Sequence, residues 1–330
     1  MALVLTLMAV SFMVAITVQV ATSVNWQMQG AGNLRDSVQL DAMNRSGLNL
    51  VRAALHADLQ EDVKKNQLFD SGHDSWNKMG SEDAPDLFGN GKLNVSVTDL
   101  SGLLQVNALV PDEKNQEIFN TMQEKQREIW RRFLTSGKFV VADSDEAGEI
   151  IDAIIDWIDE NDLVRDHGAE SGYYLSLSPS YKPRNAPFAY LEELLLIRGM
   201  TKDLFYGNDE YLGLKDYVTI AGRDGAVNIN TAPVIVLMAL DPLQNMSDET
   251  GQDLLDFREN EENMTALVDP LWYKRVNNSL DLEKDLAIVQ SQYFEVRVTA
   301  GYKSMTRSGR GILERNKDTG VQKLLYWEVR

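Results

Sequence analysis

Residues 1–24 read MALVLTLMAVSFMVAITVQVATSV, and no charged side chain appears in them or beyond them until Arg35. Met1 to Val18 is almost continuously apolar, and Gln19 interrupts a run that resumes to Val24. A helix of about 20 such residues crosses a bilayer. A secretory signal peptide is the competing reading, but it needs a basic leader and a shorter apolar core before its cleavage site. With no Lys or Arg ahead of the apolar run, the stretch reads as a membrane-spanning, bilayer-extractable helix behind a processed N-terminus. Gly30 and Gly32 punctuate its exit. A helical pattern then resumes, with Leu48, Val51, Leu55 and Leu59 on one face and Asp58, Glu61, Asp62, Lys64 and Lys65 towards water. The chain is expected to open as one long, interrupted helix, greasy in its first half and amphipathic in its second.

Composition bounds the remainder. A length of 330 residues suits about two domains. Hydrophobic residues at 44% and charged residues at 25% are ordinary for a folded protein. A net charge of −18 argues against general nucleic-acid binding, which needs clustered basic charge, and suits a cationic partner or a divalent metal. The absence of cysteine excludes disulfides, thiolate zinc sites and cysteine nucleophiles, and three scattered histidines do not make a metal site.

Residues 70–91 are rich in Gly, Ser, Asp and Asn and read as a loop. Lys92 to Val97 alternates as a strand, with Leu103 to Leu109 as its expected partner across the turn at Asp99-Leu100-Ser101-Gly102. The period then becomes helical. An amphipathic helix is expected between Asp112 and Leu134, and a second after a Ser144 cap, with Ile150, Ile151, Ile154, Ile155 and Ile158 as its apolar stripe. Further helical segments run from Phe188 to Ile197, from a Thr231 cap to Leu240, and from Ser247 to Asn260. Period 2 returns in Phe294–Tyr302, Gly309–Arg315 and Gln322–Arg330, which read as three antiparallel strands. Strands flanking a helical block favour one sheet domain with a helical insertion, because two strands alone rarely stand as a sheet.

Several segments carry a resemblance when taken in order. Met1 to Val24 resembles the N-terminal helix of a type IV pilin-like protein after prepilin peptidase cleavage. Asp99-Leu100-Ser101-Gly102 running to Asn107-Ala108-Leu109 follows, then Asp156-Trp157-Ile158-Asp159 with Gly168-Ala169-Glu170 and Tyr173-Tyr174. Next come Pro187 through Leu191-Glu192-Glu193-Leu194 to Arg198-Gly199, and Val227-Asn228-Ile229-Asn230-Thr231-Ala232-Pro233 with Leu237 and Leu240. The ordered set resembles the minor pseudopilin K family of type II secretion over nearly the whole chain.

That resemblance implies an α+β fold in which a pilin-like long N-terminal helix packs on an antiparallel sheet, with a large all-α domain inserted between strands. The implied division is 1–32 for the transmembrane and filament-core helix, 33–110 and 286–330 for the pilin-like domain, and 111–285 for the insertion. It implies a single-pass inner-membrane protein with a periplasmic body, placed at the pseudopilus tip after assembly. Its implied partners are minor pseudopilins I and J, with minor pseudopilin H and the major pseudopilin as further ones. Most pilin-like proteins carry Glu at the fifth mature position; counted from Met1 as the mature N-terminus, this chain has Leu5. A carboxylate in the bilayer is costly unless paired, and a subunit that caps a filament has less need of that pairing. Trp26, Met28 and Met43 are interface candidates by the same analogy.

Acidic residues crowd between Asp143 and Glu170, opposed only by Arg165. At 100° per residue Asp145, Glu149, Asp152, Asp156 and Asp159 fall on one helix face opposite the isoleucines. Like charges at i,i+4 repel, and Asp156 and Asp159 lie towards the wrong end of the helix dipole. Composition alone reads this as a solvated acidic face. The resemblance instead implies a structural calcium ion in the helical domain, held by Asp159, Asn161, Asp162 and Glu170. Calcium takes hard oxygen ligands of this kind.

Asn228-Ile229-Asn230-Thr231-Ala232 followed by two short helices also resembles helix-hairpin-helix modules. A membrane-anchored nucleic-acid-binding protein is therefore the alternative function. The connection Asp241-Pro242-Leu243-Gln244-Asn245-Met246 lacks the usual glycine and adds an acid, so no nucleic acid is expected. Asn228 and Asn230 are read as satisfying turn backbone groups. Carboxylate pairs abound, but none comes with a nucleophile, a convergent histidine or a phosphate loop, so the chain reads as no enzyme.

Overall fold

A computed structural model describes residues 1–79 and 91–330; residues 80–90 of the expected loop at 70–91 lie outside the described residues. Helix α1 (Ala2–Lys65) is continuous over 64 residues. Gly30 and Gly32 do not interrupt it. A glycine in a helix interior costs about 1 kcal/mol relative to alanine but leaves the hydrogen-bond ladder intact. The helix ends where Asn66 turns left-handed at φ 55° and its amide bonds back to Asp62 and Val63, with Lys64 and Lys65 in the last turn complementing the dipole.

The second half of α1 lies on a four-stranded antiparallel sheet ordered β1 (Gly91–Asp99), β6 (Tyr293–Tyr302), β7 (Met305–Arg315) and β8 (Gln322–Val329). Leu40, Met43, Leu48, Val51 and Leu55 meet Leu93, Val95, Val97, Phe294, Val296, Val298 and Leu313 in one core. At Gly47 the helix comes so close that a Cβ would sit 2.5 Å from the Val298 side chain, so only glycine permits this packing distance.

The sheet is discontinuous in sequence, for β1 and its partner β6 are separated by the helical block. The expected hairpin between 92–97 and 103–109 does not form. After the turn at 99–102 the chain leaves the sheet, and β2 (Leu104–Gln105) pairs in parallel with β3 (Val218–Thr219). Residues 106–109 then coil into a 3-10 turn. Leu104, Val106 and Leu109 bury in a second core instead of the sheet.

That second core fills the block between α2 (Gln116–Leu134), α3 (Ser144–Ile158), α4 (Ser171–Tyr174), α5 (Lys202–Tyr206), α6 (Val234–Leu240) and α7 (Asp248–Glu259). A parallel pair of β4 (Val227–Asn228) with β5 (Ala287–Ile288) lies at its exit. Helix α2 starts inside the expected 112–134 range, where Asn115 accepts from the amides of Glu117 and Ile118. Asp143, not Ser144, caps α3. The 188–197 segment is only a 3-10 turn over Leu191–Leu196. Thr231 caps nothing, since α6 begins after Pro233, where proline's missing amide does no harm.

Candidate functional site

Three features of the fold can carry function. The first is the free half of α1. All residues from Met1 to Arg35 are exposed, and the helix is long and apolar enough to cross a membrane. Leu3, Leu5, Leu7, Met8, Phe12 and Met13 ring its first turns, and Trp26 and Met28 are each 71% exposed. Met43 is fully buried against the sheet and has no surface to offer a partner.

The second is the acidic face of α3 and the segment after it, where Asp145 and Glu149 are solvated as composition predicts but the later acids are not. Asp152, Asp156 and Asp159 are all buried. Asp152 pairs with Arg127 at 2.5 Å. Asp156 accepts the Arg165 amide through Oδ2 at 3.2 Å, while its Oδ1 is buried without a hydrogen bond. A Cβ on Gly168 would lie 1.9 Å from that Oδ2, so the loop can close over Asp156 only with glycine there. Asp159 Oδ1 accepts from the amide and the side-chain Nδ2 of Asn161 at 3.2 and 2.7 Å. The Asn161 side-chain Oδ1 accepts the Leu163 amide, its backbone carbonyl accepts from Asn185 Nδ2, and Asp162 accepts the Ser171 amide.

Glu170 is the anomaly. It is 1% exposed, and neither carboxylate oxygen has a hydrogen-bond donor. Burial, then the charges of Asp156, Asp159 and Asp162, push its pKa up to about 8. Burial likewise raises Asp156 to about 6. The predicted set is thus partly assembled: Glu170, Asp159 and Asp162 share one electrostatic neighbourhood, whereas the Asn161 side chain is spent on Asp159 and Leu163. Asp156, read from sequence only as part of a helix face, joins them. Its i+3 spacing to Asp159 and Asp162 was the available signal.

The third feature was not legible beforehand. Asn228, fully buried, donates to Ser291 Oγ at 2.7 Å, the Asp70 carbonyl at 3.1 Å and Asp99 Oδ2 at 3.2 Å, and accepts the Asn230 amide at 3.0 Å. Asp99 also accepts from Thr231 and Ser291, each at 2.5 Å. Asn230 Nδ2 reaches the carbonyls of Asp70 and Leu267. Arg315 Nη2 clasps both Asp70 carboxylate oxygens at 2.5 and 2.6 Å and lies over Phe294. One sealed network therefore ties the sheet to the helical block. The asparagines do satisfy turn backbone, as expected, but they also form this joint.

The hairpin between α6 and α7 is closed to phosphate. Asp241 accepts the amides of Leu243, Asn245 and Met246, the donors a nucleic-acid backbone would need.

Comparison with known proteins agrees with this architecture. Residues 102–220 match the family model for type II secretion system (T2SS) protein K. The type II secretion system protein K of Aeromonas hydrophila is 28% identical over 329 residues, 96% of this chain and 93% of that protein. The protein of the same name from Pseudomonas aeruginosa is 28% identical over 169 residues, 49% of this chain and 46% of that one. A solved chain of the GspK–GspI–GspJ complex from the enterotoxigenic Escherichia coli type 2 secretion system shares the fold. Its TM-score is 0.63 at 19% identity, covering 90% of this chain and 98% of that one. The resemblance to the type II secretion K family, and the α+β fold it implied, are borne out.

Proposed function

We propose that this chain is a minor pseudopilin of K type that caps and initiates the type II secretion pseudopilus tip, supporting export of folded proteins across the outer membrane. The observation that carries the reading is one unbroken helix. Its first half is exposed and apolar, and its second half is the backing of a sheet into which the helical block is inserted between β1 and β6. A rigid helix of this kind can pass from lipid into a bundle of partner helices without disturbing the body. Lipid tails are as apolar as the helix, so such a transfer is driven by close packing instead of by the hydrophobic effect. The helical block, standing beside the sheet, would keep a further subunit from stacking above it. This reading places the chain in the inner membrane by a single span, with its body in the periplasm. Its partners would be minor pseudopilins I and J, which the likeness to one chain of the solved three-protein complex supports. The role is structural and non-enzymatic.

Calcium is part of this proposal. A buried Glu170 with two orphaned oxygens beside Asp156, Asp159 and Asp162 fits a hard divalent cation. Those four carboxylates would hold it, and the charge it supplies would tie the 159–170 loop to the end of α3. Asn161 would take part only through its backbone.

The test is size-exclusion chromatography with light scattering on the full chain in detergent, mixed with the same organism's minor pseudopilins I and J, in calcium and in chelator. A stoichiometric ternary complex weakened by chelation is expected. No complex in either condition refutes the assembly role. A complex indifferent to chelation refutes the calcium part.

A further inference from the structure

A second cluster of carboxylates lies away from the 159–170 loop, where α1 ends. Asp58 on the last turns of α1, and Asp70 and Asp74 in the segment that follows, each bring a carboxylate oxygen within 4.8 Å of the others. Arg315 is the cation already present, but its two Nη groups are engaged elsewhere than Asp58 and its Nε is buried without a hydrogen bond. Nη2 serves Asp70 and the Ser291 carbonyl, and Nη1 points at the Leu55 carbonyl. Asp58 Oδ2 lies 3.7 Å from Nη1, in an ion pair but without a hydrogen bond. The Asp58 side chain is only 10% exposed, so this orphaned oxygen is held in the cluster and away from water. Asp74 spends Oδ2 on the Ser71 amide. One guanidinium thus faces three carboxylates, and Asp62 adds its charge to the same neighbourhood.

We propose that Asp58, Asp70 and Asp74 hold a hard divalent cation of the calcium class, which staples the end of α1 to the joint between sheet and helical block. Buried carboxylates survive only when paired, protonated or coordinated. Arg315 supplies one partner for Asp70 and leaves Asp58 without a donor. All the available ligands are carboxylate oxygens, which select calcium or magnesium over softer metals. A cation here would act where α1 hands over to the body, because the Asp70 carbonyl accepts from Asn228 and Asn230 of the joint. Its charge would replace the protons that Asp58 and Asp74 otherwise need.

The experiment uses the full chain in detergent micelles, stripped of metal, in a background carrying Glu170→Gln and Asp159→Asn so that the 159–170 loop contributes nothing. Terbium is titrated with excitation through tryptophan, then displaced with calcium. Trp76, buried two residues beyond Asp74, is the expected sensitiser. The background chain should keep a saturable, calcium-displaceable emission. Adding Asp58→Asn with Asp74→Asn should cut it at least several-fold, and Trp76→Phe should do so independently. Both asparagine changes are isosteric and remove buried charge, so the metal-free melting point should hold or rise. Absence of displaceable emission from the background chain overturns the proposal, as does emission that survives Asp58→Asn with Asp74→Asn.

Discussion

Asn228 is where the sheet and the helical block can be pulled apart by one atom's worth of chemistry. Truncation in Asn228→Ala removes the donor to Asp99 and leaves the buried Asn230 amide without its acceptor. The orphaned amide costs about 1–3 kcal/mol and the lost charge-assisted bond about 1.5–3 kcal/mol. The alanine variant should therefore lose about 3–5 kcal/mol. Asn228→Asp keeps the shape but turns the donor into an acceptor, 3.2 Å from Asp99 Oδ2 and 3.1 Å from the Asp70 carbonyl. Burial already raises Asp99 to about 6, against the pull of its bonds from Ser291 and Thr231. Two carboxylates in this space cannot both ionise, so the folded variant must hold a proton that the unfolded chain releases near pH 4.

The sign follows from that proton. Each pH unit above about 4 costs the aspartate variant about 1.4 kcal/mol until the pair ionises, whereas in the alanine variant Asp99 alone carries the same cost only to about pH 6. At pH 8 the aspartate variant should be the less stable of the two. Moving to pH 5 should close the gap between them by about 3 kcal/mol, the two units between the Asp99 value of about 6 and pH 8. Guanidinium unfolding of the full chain in detergent, followed by tryptophan fluorescence at both pH values, reads this directly. A constant offset between the two variants across that range would mean that water reaches the cluster, and the sealed joint would be refuted.

Other expectations follow from the same groups. Glu170→Gln should raise the melting point of the chelated chain, because it removes a buried carboxyl that the folded chain must keep protonated up to about pH 8, and should abolish any melting-point gain on adding calcium; an unchanged calcium response would contradict the ligand role. Asp58 stands near 8, Asp74 near 7 and Asp99 near 6, each pushed up first by burial. Folded carboxyls raised in this way hold protons that the unfolded chain releases near pH 4, so their contribution is fully present below that and is lost as pH rises to about 8. The metal-free protein should accordingly melt higher at pH 5 than at pH 8; a flat profile in chelator would count against the burial of these groups. On the proposed tip role, Leu5→Glu, which places a carboxylate at an exposed position of the apolar half of α1, should lower secretion or allow the subunit into positions below the tip, since the charge then needs a neighbour. Unchanged secretion together with unchanged tip placement would remove that idea.

The features legible in the sequence were those that a repeat period encodes. Leu48, Val51, Leu55 and Leu59 announced the buried face of α1, and the alternation of 294–302 announced a strand, because each pattern serves one element against one core. The 103–109 segment misled for the same reason. Its apolar residues suit a strand face, yet Leu104, Val106 and Leu109 serve the other core, and nothing local says which core a residue will join. Asp70 and Arg315 lie 245 positions apart and gave no signal at all, since a long-range ion pair leaves no spacing to read.

The acidic stretch shows how the same spacing can hide its meaning. Asp152, Asp156 and Asp159 sit opposite the isoleucines, so an amphipathic helix on a surface was the natural expectation. The structure buries the C-terminal half of that face too, leaving Asp145 and Glu149 exposed, because residues 159–170 fold back over the later acids and Gly168 lets the backbone press on Asp156. Once covered, each carboxylate must find a positive partner or a proton. Arg127 answers for Asp152 and Arg165 for part of Asp156, while Glu170, with no hydrogen-bond donor among the described residues, keeps its proton, its pKa pushed up to about 8. The −18 net charge, which read as suiting a cationic partner or a divalent metal, thus lies partly inside the fold, where each buried acid without an arginine must keep a proton or, on the proposed reading, meet a bound cation.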